Sequence, residues 1–290
     1  MKKKIVFIIN PISGGKSKTF IPSLIDRYLD HQQYDASIIF SERVGHANLL
    51  TKEAIANYAD VVTSVGGDGT INEVASAMAL TGKAMGIIPC GSGNGLARTL
   101  KIPLNHIEAI KRINVGNTLA IDCGVLNGKK FFNMAGLGFD AHISALFAKD
   151  KTRGLNGYLK STFNEIYKYQ PQNYRLEIDG ETFEQKAFML SIANSSQYGN
   201  NVHISPKALV ADGVLDVCLV KPFALYKFPS LGLRMLNKTI HNSAFVTIIK
   251  GKHIKIWKDT PGWVHLDGEP FMMPEEISIE VKPLCLNLIV

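Results

Sequence analysis

The stretch Val61–Asn72, VVTSVGGDGTIN, places glycines and a carboxylate between two regular elements. Val61–Val65 is mostly β-branched and apolar, which predicts a buried strand, and the residues from Ile71 to Met78 have apolar positions at helical spacing. The N–H groups at the start of a helix favour a phosphate, and Asp68 beside them indicates a cation. Together they predict a Mg²⁺–nucleotide site. A tight turn with Asp68 as the helix N-cap would give the same pattern.

Two further glycine loops follow predicted strands. NPISGGKS, Asn10–Ser17, follows a strand at Ile5–Ile9 and departs from the P-loop pattern because Asn10 replaces the first glycine. CGSGNGLART, Cys90–Thr99, follows a strand at Met85–Pro89. Strands alternating with helices predict a doubly wound, mostly parallel sheet with ligands at the carboxyl ends of its strands. All three loops lie at those ends, which favours a phosphate site over three ordinary turns.

The pattern changes after Asp122 to short strand-like runs, which predict a mainly antiparallel β domain with a helical insert at about Ile143–Tyr169. We therefore expect an α/β domain at residues 1–122 and a β-rich domain at 123–290, with a cleft between them; the last strand can return to the first domain. No internal repeat is evident. The predicted strands of the second domain are Lys129–Met134, Tyr174–Ile178, Ala187–Ala193, Leu215–Val220, Phe245–Ile249, His253–Trp257, Trp263–Leu266 and Ile277–Val281.

Two acidic turns in the second half could carry chemistry. Asp212 in LVADGVLDV could hold a divalent ion together with nearby carbonyls, or could form a plain Asp-Gly turn. Asp267 and Glu269 in WVHLDGEP lie between apolar runs, as a general base would, although Asp267-Gly268 also suits a simple hairpin turn.

Composition narrows the class of protein. The chain has 290 residues, 46% of them hydrophobic, which predicts globular domains, and its net charge is +7. A positive net charge suits binding to an anionic membrane, a phosphorylated ligand or nucleic acid, or it has no role. No nucleic-acid-binding motif is present, so we expect no nucleic-acid partner. No apolar run approaches the roughly 20 residues of a membrane span, and the four cysteines show no paired spacing. We expect a cytoplasmic protein with reduced thiols.

The motifs NPISGGK, VGGDGTINEV, IIPCGSGNGLAR, IDCGVLNGKKFFNMAGLGFDA, ADGVLDV and HLDGEP occur in this order over nearly the whole chain. As a set they resemble the diacylglycerol kinase catalytic family, which includes bacterial lipid kinases, sphingosine kinases and ceramide kinases. The resemblance implies a nucleotide-binding α/β domain, a β-rich lipid-binding domain, and transfer of phosphate from ATP–Mg²⁺ to a lipid hydroxyl. GGDGT alone is shared with NAD kinases.

The resemblance also implies roles for single residues. Asp267 resembles the general base, Glu269 the neighbouring acid that could share or replace that role, and Asp68 a residue that reaches catalytic Mg²⁺ through water. Asp122 resembles a second acidic member of that network, and Leu209, Asp212 and Val214 resemble a structural Mg²⁺ site. The implied nucleotide contacts are Asn10, Pro11, Ser13, Gly14, Ser41, Gly66, Gly67, Asp68, Gly69, Thr70, Asn72, Glu73, Gly91, Ser92, Gly93 and Asn94.

One position departs from the bacterial members of the family. Gly95 follows Asn94 where they commonly have an acidic residue, so a carboxylate expected near the metal is missing. The acceptor stays open between diacylglycerol, a sphingoid base or ceramide, and phosphatidylglycerol. Basic residues including Lys149–Arg153 are expected to contact an anionic membrane surface, and homodimer formation stays open. The alternatives are an NAD kinase-like phosphotransferase, and a non-catalytic nucleotide or lipid sensor, which Gly95 favours.

Overall fold

The structure is a computed structural model of the chain, and it describes residues 2–15, 17–149 and 165–290. Contacts within the chain form two compact units. The N-terminal unit consists of Met1–Ile121 and Leu284–Val290, and the C-terminal unit of Asp122–Pro283. In the described ranges, no helix is both long and apolar enough to cross a membrane.

The N-terminal unit is built on a parallel sheet in the order β2, β1, β3, β4, followed by the end of the last strand, β16. Its strands are β1 (Lys3–Ile9), β2 (Tyr34–Phe40), β3 (Val61–Gly66) and β4 (Ala84–Pro89). Its helices are α1 (Ile21–Tyr28), α2 (His46–Ala56), α3 (Asp68–Met78), α4 (Gly95–Thr99) and α5 (His106–Val115). The parallel α/β class predicted for this half is confirmed.

The local sequence explains where these elements begin and end. All residues of β3 are buried, as expected of a parallel strand covered by helices on both faces. The side chain of Asn105 accepts N–H bonds from Ile107 and Glu108 at the start of α5, and Gly116 ends that helix in the left-handed region. Helices α1 and α5 cover the sheet over a core that includes Phe7, Ile25 and Ile110.

The C-terminal unit holds two antiparallel sheets around one core. One contains β9, β8, β13 and the first part of β16, with β5 and β6 attached; the other has the order β12, β11, β10, β7, β14, β15. The apolar side chains of both sheets, such as Leu176, Leu190 and Ile256, share one buried cluster. The strands are β5 (Thr118–Leu126), β6 (Lys129–Phe131), β7 (Met134–Gly138), β8 (Gln172–Ile178), β9 (Glu181–Ala187), β10 (Met189–Ala193), β11 (Leu215–Val220), β12 (Val246–Gly251), β13 (His253–Lys258), β14 (Gly262–Leu266), β15 (Glu269–Met273) and β16 (Glu276–Ile289). The predicted antiparallel class is confirmed.

Two predicted strands of this unit are each divided. The prediction Lys129–Met134 is wrong at its end, because β6 stops at Phe131 and β7 starts at Met134. The prediction Ala187–Ala193 is interrupted at Phe188, whose N–H bonds to Val220 and whose carbonyl accepts from Phe139. Both predicted strands are therefore interrupted by hydrogen bonds between the backbone and distant residues. The periodicity of the sequence cannot reveal such bonds.

The described part of the unit also contains the helices α6 (Phe139–Lys149) and α7 (Phe228–Leu236). The predicted helical insert Ile143–Tyr169 overlaps α6, but residues 150–164 lie outside the described residues. The same is true of most of the predicted basic membrane contact Lys149–Arg153.

Candidate active site

The first loop of the N-terminal unit is tied to the second by Asn10. Its N–H donates to the carbonyl of Val65 at 3.0 Å, and its side-chain Nδ2 donates to Thr70 Oγ1 at 2.9 Å. Its Oδ1 accepts the N–H of Ile12 at 3.1 Å, and Ser13 Oγ donates to its carbonyl. Asn10 therefore connects the end of β1 to the end of β3 and the first turn of α3, and this replaces the turn that glycine makes in a P-loop.

Glycines let the three loops pack backbone against backbone. A Cβ on Gly14, whose φ is +61°, would lie 2.4 Å from the carbonyl oxygen of Cys90. A Cβ on Gly91 would lie 2.6 Å from Cα of Gly67. Neither distance is compatible with a side chain, so these glycines are required by close approach. The sequence predicted glycine loops at one sheet edge, and the structure brings them into direct contact.

Asp68 joins the second loop to the third. Its Oδ2 accepts the N–H of Asn94 and its Oδ1 accepts the N–H of Gly95, both at 2.9 Å. Asn94 adopts a left-handed φ of 52°, and its side chain closes the loop by accepting from Gly91 N–H and donating to the Gly91 carbonyl. Position 95, where an acid was expected, thus contributes its backbone N–H to Asp68 and no carboxylate.

Other residues predicted at the nucleotide have local structural partners. Both carboxylate oxygens of Glu73 accept N–H groups at the start of α2, from Gly45 at 2.7 Å and Ala47 at 3.0 Å. Ser41 is buried and its N–H donates to the carbonyl of Ile9, so it lies beside the first loop. The carbonyl of Gly93 accepts from Arg98 Nε at 3.0 Å. Pro11 and Ser92 lie in the first and third loops, Gly66 ends β3, and Gly69 and Asn72 lie in the first two turns of α3.

The carboxylate of Asp68 fits a hydrated divalent ion. Its two oxygens accept the N–H groups of Asn94 and Gly95, which fix the carboxylate at the junction of the second and third loops. Mg²⁺ commonly keeps several waters and takes one or two protein carboxylates together with substrate phosphates. Within the described ranges, no three His, Cys, Asp or Glu side chains are grouped to hold a metal by themselves.

At Asp212, where the sequence predicts a structural Mg²⁺ site, the carboxylate is paired with a lysine. Lys250 Nζ lies 2.7 Å from Asp212 Oδ2 and 3.6 Å from Asp216 Oδ1. The hydrogen bond that Lys250 Nζ donates to Asp212 is the main reason that the pKa of Lys250 is raised, so this ammonium stays charged. Asp122 belongs to the same cluster, because its Oδ2 accepts the Gly213 N–H at 2.7 Å.

An ammonium thus supplies the positive charge at Asp212, and the donor set does not fit a divalent ion while Lys250 stays there. A metal held by Asp212 with the carbonyls of Leu209 and Val214 stays a prediction, and no step below depends on it. Leu209 and Val214 lie in the loop just before β11.

Asp267 occupies a backbone cradle in the C-terminal unit. Its carboxylate accepts the N–H groups of Phe132 at 2.9 Å, Asn133 at 2.8 Å and Met134 at 3.0 Å. These bonds stabilise the ionised carboxylate, and they divide the strand that the sequence predicts at Lys129–Met134. Asn194 supports the cradle by donating to the carbonyl of Phe132 at 2.8 Å.

A second turn in this unit repeats the first. Asp179-Gly180 joins β8 to β9 as Asp267-Gly268 joins β14 to β15, with φ values of 48° and 93° against 49° and 92°. Two positive φ values suit the tight turn that a two-residue hairpin needs. Asp179 likewise accepts N–H groups from an adjacent segment, those of Lys252 and His253. The repeat is visible in the sequence as IDGETF and LDGEPF. The expectation that the chain has no internal repeat overlooked it.

A buried polar network lies behind the Asp267 turn and has no counterpart among the contacts of the Asp179 turn. Asp140 Oδ2 accepts from Ser191 Oγ at 3.1 Å, Tyr198 OH at 2.9 Å and His265 Nε2 at 3.3 Å. The other ring nitrogen of His265, Nδ1, accepts the Gly268 N–H at 3.4 Å. Burial, with the nearby Asp140 carboxylate, raises the pKa of Tyr198, so its phenol stays a donor.

The register of three neighbouring strands brings residues of this network together. Ser191, Gly136 and His265 lie opposite one another on β10, β7 and β14. A Cβ on Gly136 would lie 2.2 Å from Asp140 Oδ2 and 2.3 Å from His265 Nε2, so the glycine leaves the space that the carboxylate fills. Sequence reasoning missed this network, because its members are spread over four segments without a common spacing.

The close contact between the second and third loops predicts that adding a methyl group at Gly91 destabilises the protein. Gly91→Ala should lower the free energy of unfolding by about 1–3 kcal/mol, because its Cβ has no room beside Gly67 and Asn94. Gly232→Ala is the matched control, since its Cβ meets nothing within 4 Å in α7, and it should stabilise the protein slightly. Urea denaturation measures both. Equal stability of Gly91→Ala and wild type would show that the loops are not in close contact.

Two buried histidines allow a paired test of the polar network. His265→Phe removes one donor from Asp140 and should cost about 2 kcal/mol of unfolding free energy. His203 is also buried, but neither of its ring nitrogens has a hydrogen-bond partner among the described residues, so His203→Phe should leave stability unchanged or raise it. Thermal unfolding of both variants separates the cases. A larger loss at position 203 than at 265 would contradict the network.

Comparisons with known proteins agree with this arrangement. The family model described as the diacylglycerol kinase catalytic domain matches residues 4–126. The model described as the YegS C-terminal NAD kinase beta sandwich-like domain matches residues 133–290. A diacylglycerol kinase of Bacillus subtilis is 27% identical over 273 residues, which is 92% of this chain and 90% of that protein. One of Staphylococcus aureus is 27% identical over 277 residues, 93% of this chain and 87% of that protein.

Solved structures share the fold. A crystal structure of a diacylglycerol kinase from Bacillus anthracis strain Sterne aligns with a TM-score of 0.76 at 22% identity, covering 99% of this chain and 96% of the other. A further structure from the same bacterium gives a TM-score of 0.79 at 24% identity with the same coverage. Since the two family models together span nearly the whole chain, the protein is an enzyme of the diacylglycerol kinase family, a lipid kinase.

Proposed function

We propose that this lipid kinase transfers the γ-phosphoryl group of ATP to a lipid hydroxyl, with Mg²⁺ as the divalent ion and diacylglycerol as the first acceptor to test. The observation that carries the proposal is the contact of three backbone loops at the carboxyl ends of β1, β3 and β4. The relatives named diacylglycerol kinase support the choice of acceptor. Sphingoid bases, ceramide and phosphatidylglycerol are the other acceptors to compare.

In this proposal the loops of the N-terminal unit hold the phosphates. The first N–H groups of α3 have no partner inside the helix and lie at the positive end of its dipole, which favours a phosphate. Asp68 holds the third loop in place and, through water, would hold Mg²⁺. When bound, that ion neutralises negative charge on the phosphates. The work of these residues is positioning and electrostatic stabilisation, which dominates phosphoryl transfer.

Asp267 is the proposed acceptor of the proton from the lipid hydroxyl. Three N–H bonds hold its carboxylate in one orientation. Glu269 is exposed at the start of β15 and is the alternative acceptor.

We propose that the enzyme works in the cytoplasm, at the inner face of a membrane. ATP and a membrane lipid meet there, and the four cysteines, which are buried and form no disulfide, suit a reducing compartment. One observation favours a second candidate, a sensor without activity: Gly95 contributes a backbone N–H to Asp68 and no carboxylate near it.

The direct test uses labelled ATP with each acceptor lipid in mixed micelles, with Mg²⁺ and with a chelator. We expect labelled diacylglycerol that depends on the metal. Nucleotide binding without labelling of any lipid would favour the sensor, and labelling of NAD in place of a lipid would favour the NAD kinase alternative.

The repeated turn supplies an unusually close control for the base. Asp267→Asn should lower kcat at least about a hundredfold, the usual scale of general acid–base catalysis, with little change in the KM for ATP. Asp179→Asn makes the same change in a turn of the same geometry and should leave kcat nearly unchanged. Asp267 is buried and Asp179 is exposed, so Asp267→Asn should lose more stability, which thermal unfolding measures. If the two variants lose activity equally, the effect of Asp267 is structural and Glu269→Gln becomes the next test.

A further inference from the structure

The helix α7 and the turn before it expose apolar side chains. Exposed fractions are 79% for Tyr226, 58% for Leu233 and 50% for Leu236. These positions are seven and three residues apart, which places them on one side of the helical segment. We call Tyr226, Leu233 and Leu236, with Leu225 at 39%, the α7 face.

The opposite side of α7 already fills the core. Leu231 is buried, and Phe228 and Met235 pack against a cluster that contains Phe188 and Val246. A surface helix normally carries polar residues on the side turned away from its core, so apolar residues on both sides need a second environment.

The charges next to the α7 face in the sequence all have one sign. Lys221, Lys227, Arg234 and Lys238 lie in or next to this segment, and the sequence holds no Asp or Glu between Asp216 and Asp259. Within the ranges that the structure describes, none of these four cations forms an ion pair with a carboxylate. Lys227 Nζ instead lies over the rings of Tyr226 at 5.6 Å and Phe245 at 5.7 Å.

We propose that the α7 face docks on an anionic phospholipid membrane. Apolar side chains flanked by unpaired lysine and arginine are the composition of segments that lie in the membrane interface. Tyrosine suits that depth because its ring is apolar and its hydroxyl reaches water. This inference rests on the proposed function, because that function makes a membrane lipid the substrate. It assigns the membrane contact to residues other than Lys149–Arg153.

Flotation with vesicles tests the docking in the absence of nucleotide. Wild type should bind vesicles of phosphatidylcholine with phosphatidylglycerol, bind phosphatidylcholine alone much more weakly, and lose binding as salt rises. The double variant Leu233→Ser/Leu236→Ser should reduce the partition coefficient about tenfold or more. Val115→Ser is the matched control, since Val115 is 63% exposed at the end of α5, and it should bind as wild type does.

The cations are tested separately from the leucines. Lys221→Gln/Arg234→Gln should reduce partition to anionic vesicles by about fivefold for each charge, without changing binding to neutral vesicles. Lys52→Gln/Lys186→Gln removes the same charge from exposed positions elsewhere and should have a much smaller effect. Equal loss in both pairs would show that net charge, not the α7 face, drives binding.

Activity on two forms of the substrate completes the test. Leu233→Ser/Leu236→Ser should phosphorylate short-chain diacylglycerol dissolved as monomers at the wild-type rate, but should be slower on diacylglycerol in vesicles. Since flotation needs no catalysis, a protein that labels no lipid yet binds anionic vesicles through these residues would contradict the proposed function alone. Unchanged flotation of the leucine variant would overturn the docking. A change from dimer to monomer in that variant, measured by light scattering, would also overturn it and assign the face to a second copy.

Discussion

The carboxylate of Asp68 accepts one N–H bond from Asn94 and one from Gly95, and these bonds join the second glycine loop to the third. The close approach of Gly67 and Gly91 depends on the same junction. Asn10 makes the corresponding link between the first loop and the second. The candidate phosphate site is therefore a set of backbone segments held by three polar side chains, Asn10, Asp68 and Asn94, and every later step of the proposed reaction needs that set in place.

The C-terminal unit uses the same chemistry for its turns. A carboxylate on a two-residue hairpin accepts backbone N–H groups from a neighbouring segment at both Asp179 and Asp267. What distinguishes the Asp267 turn is the buried group of Asp140, Ser191, Tyr198 and His265 behind it. Buried polar groups are costly unless each is satisfied, so a satisfied network behind one of two similar turns fixes that turn more strictly than packing alone.

Much of the fold could be predicted because the N-terminal unit follows simple periodic rules. The strands at Ile5–Ile9, Val61–Val65 and Met85–Pro89 and the glycine loops after them follow from apolar runs and turn residues, and each lies within an observed strand. The second unit was harder, because the backbone N–H groups of Phe132 and Asn133 leave the ladder to bind Asp267, more than 130 residues later. No local pattern contains that bond.

The candidate site, like the fold, could be predicted only in part. The resemblance to the family indicated which loops and acidic turns to inspect, while the pairing of Lys250 with Asp212 and the row of Ser191, Gly136 and His265 depend on register between distant strands. The repeated DGE turn was visible in the sequence, but its meaning needed the φ values and the hydrogen bonds. Local chemistry was thus easier to predict than the identity of the partner at the other end of each bond.

The measurement that tests the central claim most directly is hydrogen–deuterium exchange at the amides of Asn94 and Gly95, in the full chain and in Asp68→Ala. If Asp68 holds the third loop, both amides are protected in the wild type. In the variant they exchange about tenfold faster or more, since a hydrogen bond to a charged group contributes about 1.5–3 kcal/mol. Strand β13, which pairs with both β8 and β16, should exchange equally in both proteins. Unchanged protection of Asn94 and Gly95 in Asp68→Ala would contradict the account.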